Sequence, residues 1–340
     1  MSGDQDYLID TFLAPVAPYL RDESVGEILV NGYGEVYVEC AGRLQLTTTR
    51  FDGEAALRAA ISNIAEAVGR PADEEHPILE ARLPDGSRVH AVLPPVSRRG
   101  IALSIRKFAR ELFTEEALIA NGTLDARTCA LLRRAVESHA GLVISGGSGT
   151  GKTTLLNCLS AYLSPDERVL VIEDASELQL RQDHVIPLET RPPDRHGRGE
   201  VTMRELVRSA LRMRPDRILV GECRGGEALD MLQAMNTGHP GSMTTLHANS
   251  PRDALLRLET MALMGGVDLA YEAVRAQVAG AVDLLVHLRR FADGARRVTA
   301  VDQVEGLGAD RNYAVRPLVR WSAAKRFESL GEFRAPEDGA

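Results

Sequence analysis

Gly146-Gly-Ser-Gly-Thr-Gly-Lys-Thr153 fits the pattern Gly-x4-Gly-Lys-[Ser/Thr] at every fixed position, with the apolar run 142–145 ahead of it and a helical pattern over 152–163 behind. A Gly-rich turn can match such a pattern by chance. A strand on one side and a helix on the other is the context that gives it a physical meaning. Successive backbone N–H groups can curl around an anionic phosphate, and glycines let the backbone come that close. The helix that begins near Lys152 turns its positive end toward the anion. Lys152 supplies a full charge for the outer phosphate oxygens, and Thr153 a hydroxyl for a divalent cation. The candidate nucleotide contacts are Gly146, Gly147, Ser148, Gly149, Thr150, Gly151, Lys152, Thr153 and Thr154. Lys152 is also a candidate catalytic residue.

Working outward, the chain alternates short apolar strands with helices. Helices are predicted over 124–139, 203–212, 226–236 and 253–263, and strands over 142–145, 169–172, 218–220 and 243–246. This rhythm implies an α/β unit with a mainly parallel sheet and crossover connections. A phosphate loop needs carboxylates at neighbouring strand ends, to hold Mg²⁺ and to orient water. The strand 169–172 runs into Glu173, Asp174 and Glu177; the strand 218–220 runs into Glu222. Glu222 is assigned Mg²⁺ coordination through water. Glu173 is the candidate second carboxylate and general base; its alternative role, like that of Asp174 and Glu177, is helix N-capping with solvation. A third strand ends in His247, a candidate sensor of the outer phosphate. His239 and His247 have no further Cys or His at ligand spacing, which argues against zinc.

The first hundred residues read as a smaller α/β domain. Two strands flank Asn31-Gly32, a strong hairpin signal. A third strand follows Gly42, a helix spans 55–68, a second hairpin turns at Pro84-Asp-Gly86, and a last strand covers 101–107. Domain boundaries are expected at 1–107 and 123–340, joined by a linker and hinge over 108–122. The last thirty residues carry scattered Arg and Lys, and a frayed end is expected.

With 340 residues the chain is long enough for about two domains. Its 44% hydrophobic and 26% charged residues exclude disorder as the main state. A net charge of −8 and only 4% aromatics argue against a nucleic-acid partner, which needs clustered positive charge and stacking surfaces. Four isolated cysteines fit a reducing cytoplasm. The acidic N-terminus does not read as a signal peptide, and no apolar run approaches the roughly 18 residues of a membrane span.

Four blocks now stand in order: 146–153, Val171-Ile-Glu-Asp-Ala-Ser-Glu177, Ile218-Leu-Val-Gly-Glu-Cys-Arg224, and Thr237-Gly-His-Pro-Gly-Ser-Met-Thr-Thr-Leu-His-Ala-Asn249. Together they resemble the Walker A, Asp box, Walker B and His box of the traffic ATPases of type II and type IV secretion. The segments Glu189-Thr-Arg-Pro-Pro193, Glu200-Val-Thr-Met-Arg-Glu-Leu206, Leu211-Arg-Met-Arg-Pro-Asp216 and Ser24-Val-Gly-Glu-Ile-Leu-Val-Asn-Gly32 resemble the CpaF-type branch, which assembles tight-adherence pili. Many members of that branch carry a long N-terminal extension. This sequence starts close to the first shared block, so the contacts of such an extension are not carried over. Cys223 departs from the pattern, which has an aliphatic residue there; its side chain is expected to point away from the phosphates.

The resemblance implies a PAS-like N-terminal α/β domain, a C-terminal RecA-like ATPase domain, ATP and Mg²⁺ as ligands, and a homohexameric ring. It further implies a cytoplasmic protein held at the inner membrane through a platform protein. Arg88 and Arg106 of the first domain are then the candidate phosphate-binding arginines, with Arg106 also catalytic. A guanidinium suits this task because its planar fork can hold two oxygens. Arg99, Arg191, Arg212 and Arg224 are further candidates, acting across a subunit boundary. Competing readings are a type IV secretion or conjugation motor, a nucleic-acid translocase on the same core, and an ATP-gated ring scaffold.

Overall fold

The computed structural model describes residues 11–336 except 41, 84, 108–113, 195 and 196. It divides into two compact units, 1–110 with 193–198, and 111–192 with 199–340.

The first unit is built on a six-stranded antiparallel sheet in the order β3-β2-β1-β6-β5-β4. The strands are β1 (Val25–Asn31), β2 (Glu35–Cys40), β3 (Arg43–Leu46), β4 (Ile78–Arg82), β5 (Arg88–Val92) and β6 (Ala102–Arg106). Alternation decides which face is buried: Ile28 and Val30 of β1, Val36 and Val38 of β2, and Leu103 and Ile105 of β6 all point inward. The helix Glu54–Ala67 supplies Leu57, Ala60, Ile61, Ile64 and Ala65 to the same core, the spacing expected of one helical face.

The second unit holds a nine-stranded mixed sheet. Its parallel part, in spatial order, is β12 (Leu284–Arg290), β7 (Leu142–Gly146), β11 (Met243–His247), β10 (Arg217–Val220), β8 (Val169–Glu173) and β9 (Val185–Glu189). β7 and β8 are buried along their whole length, as strands covered on both faces must be. One face packs on the helices Met203–Ala210, Glu227–Asn236, Pro251–Leu263 and Tyr271–Ala281. The other packs on Glu115–Ala120, Ala126–Glu137 and Lys152–Ser160.

The structure differs from expectation at three points. Part of the expected linker is folded. The helix Glu115–Ala120 begins at an N-cap where Thr114 accepts from the Ala117 N–H, and it buries Leu118 in the second unit's core. Tyr162 donates its hydroxyl to Glu115 at 2.7 Å, fastening the helix to the end of the phosphate-loop helix. The remainder of the linker, 108–113, lies outside the described residues. Second, the C-terminal stretch forms strands up to Ser329, while the end expected to fray, 337–340, lies outside the described residues. β13 (Arg296–Leu307), β14 (Tyr313–Trp321) and β15 (Phe327–Ser329) extend the sheet in antiparallel fashion, and Phe333 is buried beyond them. Two of the arginines there are paired across strands: Arg316 donates to Glu305 and Gln303, and Arg320 to Asp302. Third, β9 escaped notice because Pro187 interrupts it. At the edge of a sheet a missing N–H costs no ladder bond.

Candidate functional site

The phosphate loop leaves β7 at Gly146, which pairs with His247 of β11 on one side and Leu288 of β12 on the other. A Cβ at Gly146 would stand 2.5 Å from the Leu288 carbonyl oxygen and 2.7 Å from Thr150 Oγ1, so no other residue fits. Gly151, the N-cap of Lys152–Ser160, sits at φ 94°, a left-handed conformation that glycine adopts at little cost. Gly147, Ser148 and Gly149 are exposed, and Thr153 and Thr154 half-buried. Lys152 is only 8% exposed. Its Nζ donates to the carbonyls of Gly146 (3.3 Å) and Gly147 (3.1 Å) and lies 3.4 Å from His247 Nδ1.

His247 connects this lysine to the acidic side. Its Nε2 is 2.8 Å from Glu222 Oε1. The approach is off the direction of a hydrogen bond, so Glu222 Oε1 is buried with no hydrogen-bond partner among the described residues. Burial first, and the Lys152 ammonium next, push the His247 imidazole below its ordinary range, although the Glu222 carboxylate opposes them. The ring stands between an ammonium that disfavours its protonation and a carboxylate that favours it. The other oxygen of Glu222 accepts from Arg224 Nε at 2.7 Å. Lys152, His247 and Glu222 therefore converge at the carboxyl ends of β7, β11 and β10, where ligands of parallel sheets bind.

Glu173, at the end of β8, behaves differently. Its carboxylate is buried and accepts the backbone N–H groups of Glu177 (3.0 Å) and Leu178 (3.1 Å). It holds the turn after β8. No helix follows there and the carboxylate is buried, so the helix N-capping and solvation expected as its alternative role are not what it does. Cys223 points away from the loop as expected: its Sγ accepts from the Thr244 hydroxyl at 3.3 Å, and burial pushes the thiol up to about 12.

Arg88 and Arg106 lie in the first unit. They are direct cross-strand partners on β5 and β6, so two like charges stand side by side at one end of that sheet. Sequence reasoning missed two other arginines. A Cβ at Gly149 would lie 3.7 Å from Arg290 Nη1, and one at Gly151 3.7 Å from Arg296 Cδ. The β12–β13 hairpin thus carries Arg290 and Arg296 to the phosphate loop. The signal was the pair of Arg-Arg steps flanking Asp293-Gly294. Arg297, by contrast, stacks on Trp321 (4.9 Å) and Phe291 (5.3 Å).

Next to the loop on the sheet, His287 of β12 is enclosed, with Nδ1 2.9 Å from Ser145 Oγ. Burial holds the ring down to about 4. A lowered histidine stabilises the fold fully above the unfolded value near 6.5. That stability is lost as pH falls from there toward about 4, because the unfolded chain then takes up the proton first. Between pH 7 and 4.5 the wild type should lose about 2.5 kcal/mol more unfolding free energy than His287→Phe. Urea titrations of both proteins at the two pH values check this, and parallel losses would rule it out.

The family model described as Type II/IV secretion system protein matches residues 10–315. A Mycobacterium tuberculosis protein named for conjugal transfer is 40% identical over 298 residues, covering 85% of this chain and 84% of the relative. The conjugal transfer protein TrbB of Rhizobium radiobacter is 36% identical, covering 84% of this chain and 86% of its own. The type IV secretion system protein PtlH of Bordetella pertussis is 36% identical over 324 residues, covering 86% and 94%. Among solved structures, the ATPase DotB of Legionella pneumophila superposes with a TM-score of 0.60 at 20% identity, over 88% of this chain and 81% of that one. The pilus retraction motor PilT with bound ADP gives 0.56 at 19% identity, over 94% and 84%. At these identities the structures show a shared fold.

Proposed function

The chain belongs to the type II/IV secretion system protein family, and on that premise we propose that it hydrolyses ATP with Mg²⁺ and spends the energy on moving substrate through a membrane secretion apparatus. The observation that carries this reading is the convergence of Lys152, His247 and Glu222 on one loop. The residues fit both ligands. The loop presents exposed backbone at Gly147, Ser148 and Gly149 for phosphate oxygens. Thr153 and Glu222 Oε1, which has His247 beside it but accepts no hydrogen bond, suit a magnesium ion held largely through water. When bound, that ion neutralises charge on the outer phosphates. Lys152 leaves the loop carbonyls for the same oxygens, His247 accepts or donates a hydrogen bond beside them, and Glu222 orients the attacking water. Glu173 is retained as a second carboxylate by family analogy, with its turn-capping role accounting for its present contacts.

Arg106, with Arg88, closes on the phosphates from the first domain, and the hinge falls in the stretch 108–122 ahead of the helix Glu115–Ala120. The working form is a homohexamer in the cytoplasm, bound to the inner membrane through a platform protein. Among the described residues no helix is long and apolar enough to cross a membrane. Relatives named for conjugal transfer and type IV secretion support a type IV apparatus as strongly as the segments around 189–216 support tight-adherence pili. Neighbouring genes for small pilins and a prepilin peptidase would mark the second.

The test is phosphate release by the purified chain. We expect Mg²⁺-dependent turnover that added DNA does not stimulate. DNA-dependent turnover would favour the translocase, and none at all the scaffold. Arg106→Ala should slow turnover about 10-fold or more while changing ADP affinity less than threefold, since a γ-phosphate contact is absent from ADP. Equal losses in both would exclude a sensing role.

A further inference from the structure

Taking the ATPase reading as its base, we propose that Arg224 is a positioning residue for Glu222 within the same subunit, and that Asp174 positions Arg224. Arg224 Nε and Nη2 lie 2.7 and 2.5 Å from the same oxygen of Glu222, Oε2. On its other side, Nη1 donates to Asp174 Oδ2 at 3.1 Å. Asp174 follows β8 and Glu222 follows β10, and these strands are parallel neighbours. The guanidinium therefore ties two adjacent strand ends together at the rim of the candidate site.

Its base is fixed as well. Glu227 Oε1 accepts the backbone N–H groups of Arg224 (2.6 Å) and Gly225 (2.8 Å), and Glu227 is itself buried. Arg224 is 58% exposed and sits at the solvent edge, yet its guanidinium and its backbone are both engaged. The consequence falls on Glu222. With Oε2 held, Oε1 is left turned to the Lys152–His247 side, buried and without a hydrogen bond. A buried acceptor that makes no hydrogen bond is costly, and one oriented by its neighbours, here Arg224 and His247, is prepared for water or for a metal-bound water. This task lies within its own subunit and stands beside the role across a subunit boundary expected for Arg224.

The experiment compares wild type, Arg224→Gln, Asp174→Asn, Glu222→Gln and the Glu222→Gln/Arg224→Gln double variant. Steady-state turnover is read alongside Mn²⁺ binding in the presence of ADP, followed by electron paramagnetic resonance. Arg224→Gln should lower kcat about 10- to 50-fold with KM changed less than threefold. Asp174→Asn should give a smaller loss in the same direction. Mn²⁺ should bind several-fold more weakly to Arg224→Gln than to wild type. In the Glu222→Gln background, removing Arg224 should change neither quantity, because the group it positions is gone. Turnover and Mn²⁺ affinity within twofold of wild type in Arg224→Gln, or a full second loss in the double variant, would overturn the proposal. If wild type releases no phosphate, the ATPase reading fails instead, and Mn²⁺ binding still decides the role of Arg224.

Discussion

Replacing Lys152 with alanine should reduce Mg²⁺-dependent ATP turnover by about 10³-fold, and Glu222→Gln should do the same with nucleotide still bound. The two losses have different origins. Lys152 is the buried cation at the loop, with Nζ on the carbonyls of Gly146 and Gly147. Alanine removes a charge that serves both ground-state phosphate and transition state, so nucleotide affinity falls too. Glu222→Gln keeps the shape and the Arg224 contact through its amide oxygen but removes the carboxylate. Affinity for ADP should then stay within about threefold while turnover is lost, the mark of a group needed mainly in the transition state. Phosphate release together with fluorescent-ADP binding measures both. Turnover within tenfold of wild type in both variants would remove the catalytic assignment.

The largest expected effect on stability lies at the opposite end of the same sheet. Arg217 opens β10 and is 1% exposed. It donates to Glu167 Oε1 at 2.9 Å, to the Gly241 carbonyl at 3.1 Å and to the Val136 carbonyl at 2.9 Å. One guanidinium thus satisfies a largely buried carboxylate and two backbone acceptors from three separate elements. Arg217→Leu would strip the guanidinium from all three, leaving Glu167 with the Ser164 N–H and Val136 with the His139 N–H. Removing one partner of such a buried pair costs about 3–5 kcal/mol, or about 10 °C in melting temperature for a unit of this size. Gly241→Ala attacks the same knot from outside, since its Cβ would fall 2.2 Å from Arg217 Nη1. Adding Glu167→Gln to Arg217→Leu should recover part of the loss by removing the stranded charge. Thermal and urea unfolding decide it; a loss below about 1 kcal/mol would show that water or local shifts replace the arginine.

Legibility followed the range of the physics. The first unit's hairpins and helix could be read because a strand needs alternation and a turn needs Asn-Gly, both within a few residues. The parallel strands β7, β8, β10 and β11 could be read as short apolar runs between helices. The strands β13 to β15 could not, since Arg316 and Arg320 look solvated until Glu305, Gln303 and Asp302 are placed opposite them. Glu115–Ala120 was hidden for a similar reason. It is too short to show a period, and its anchors, Tyr162 and the second unit's core, lie elsewhere in the chain.

The amino-acid sequence alone determined where a phosphate could be held and which side chains stand at the neighbouring strand ends, because glycine spacing, a lysine and a strand–loop–helix step are local properties. Tertiary structure alone decided what each of those side chains is free to do. It turned Glu173 inward onto the N–H groups of its own turn, left one oxygen of Glu222 without a hydrogen bond while Arg224 holds the other, and brought Arg290 and Arg296 to the loop. A carboxylate's role depends on which donors reach it first, and those donors come from residues that only the folded sheet brings together.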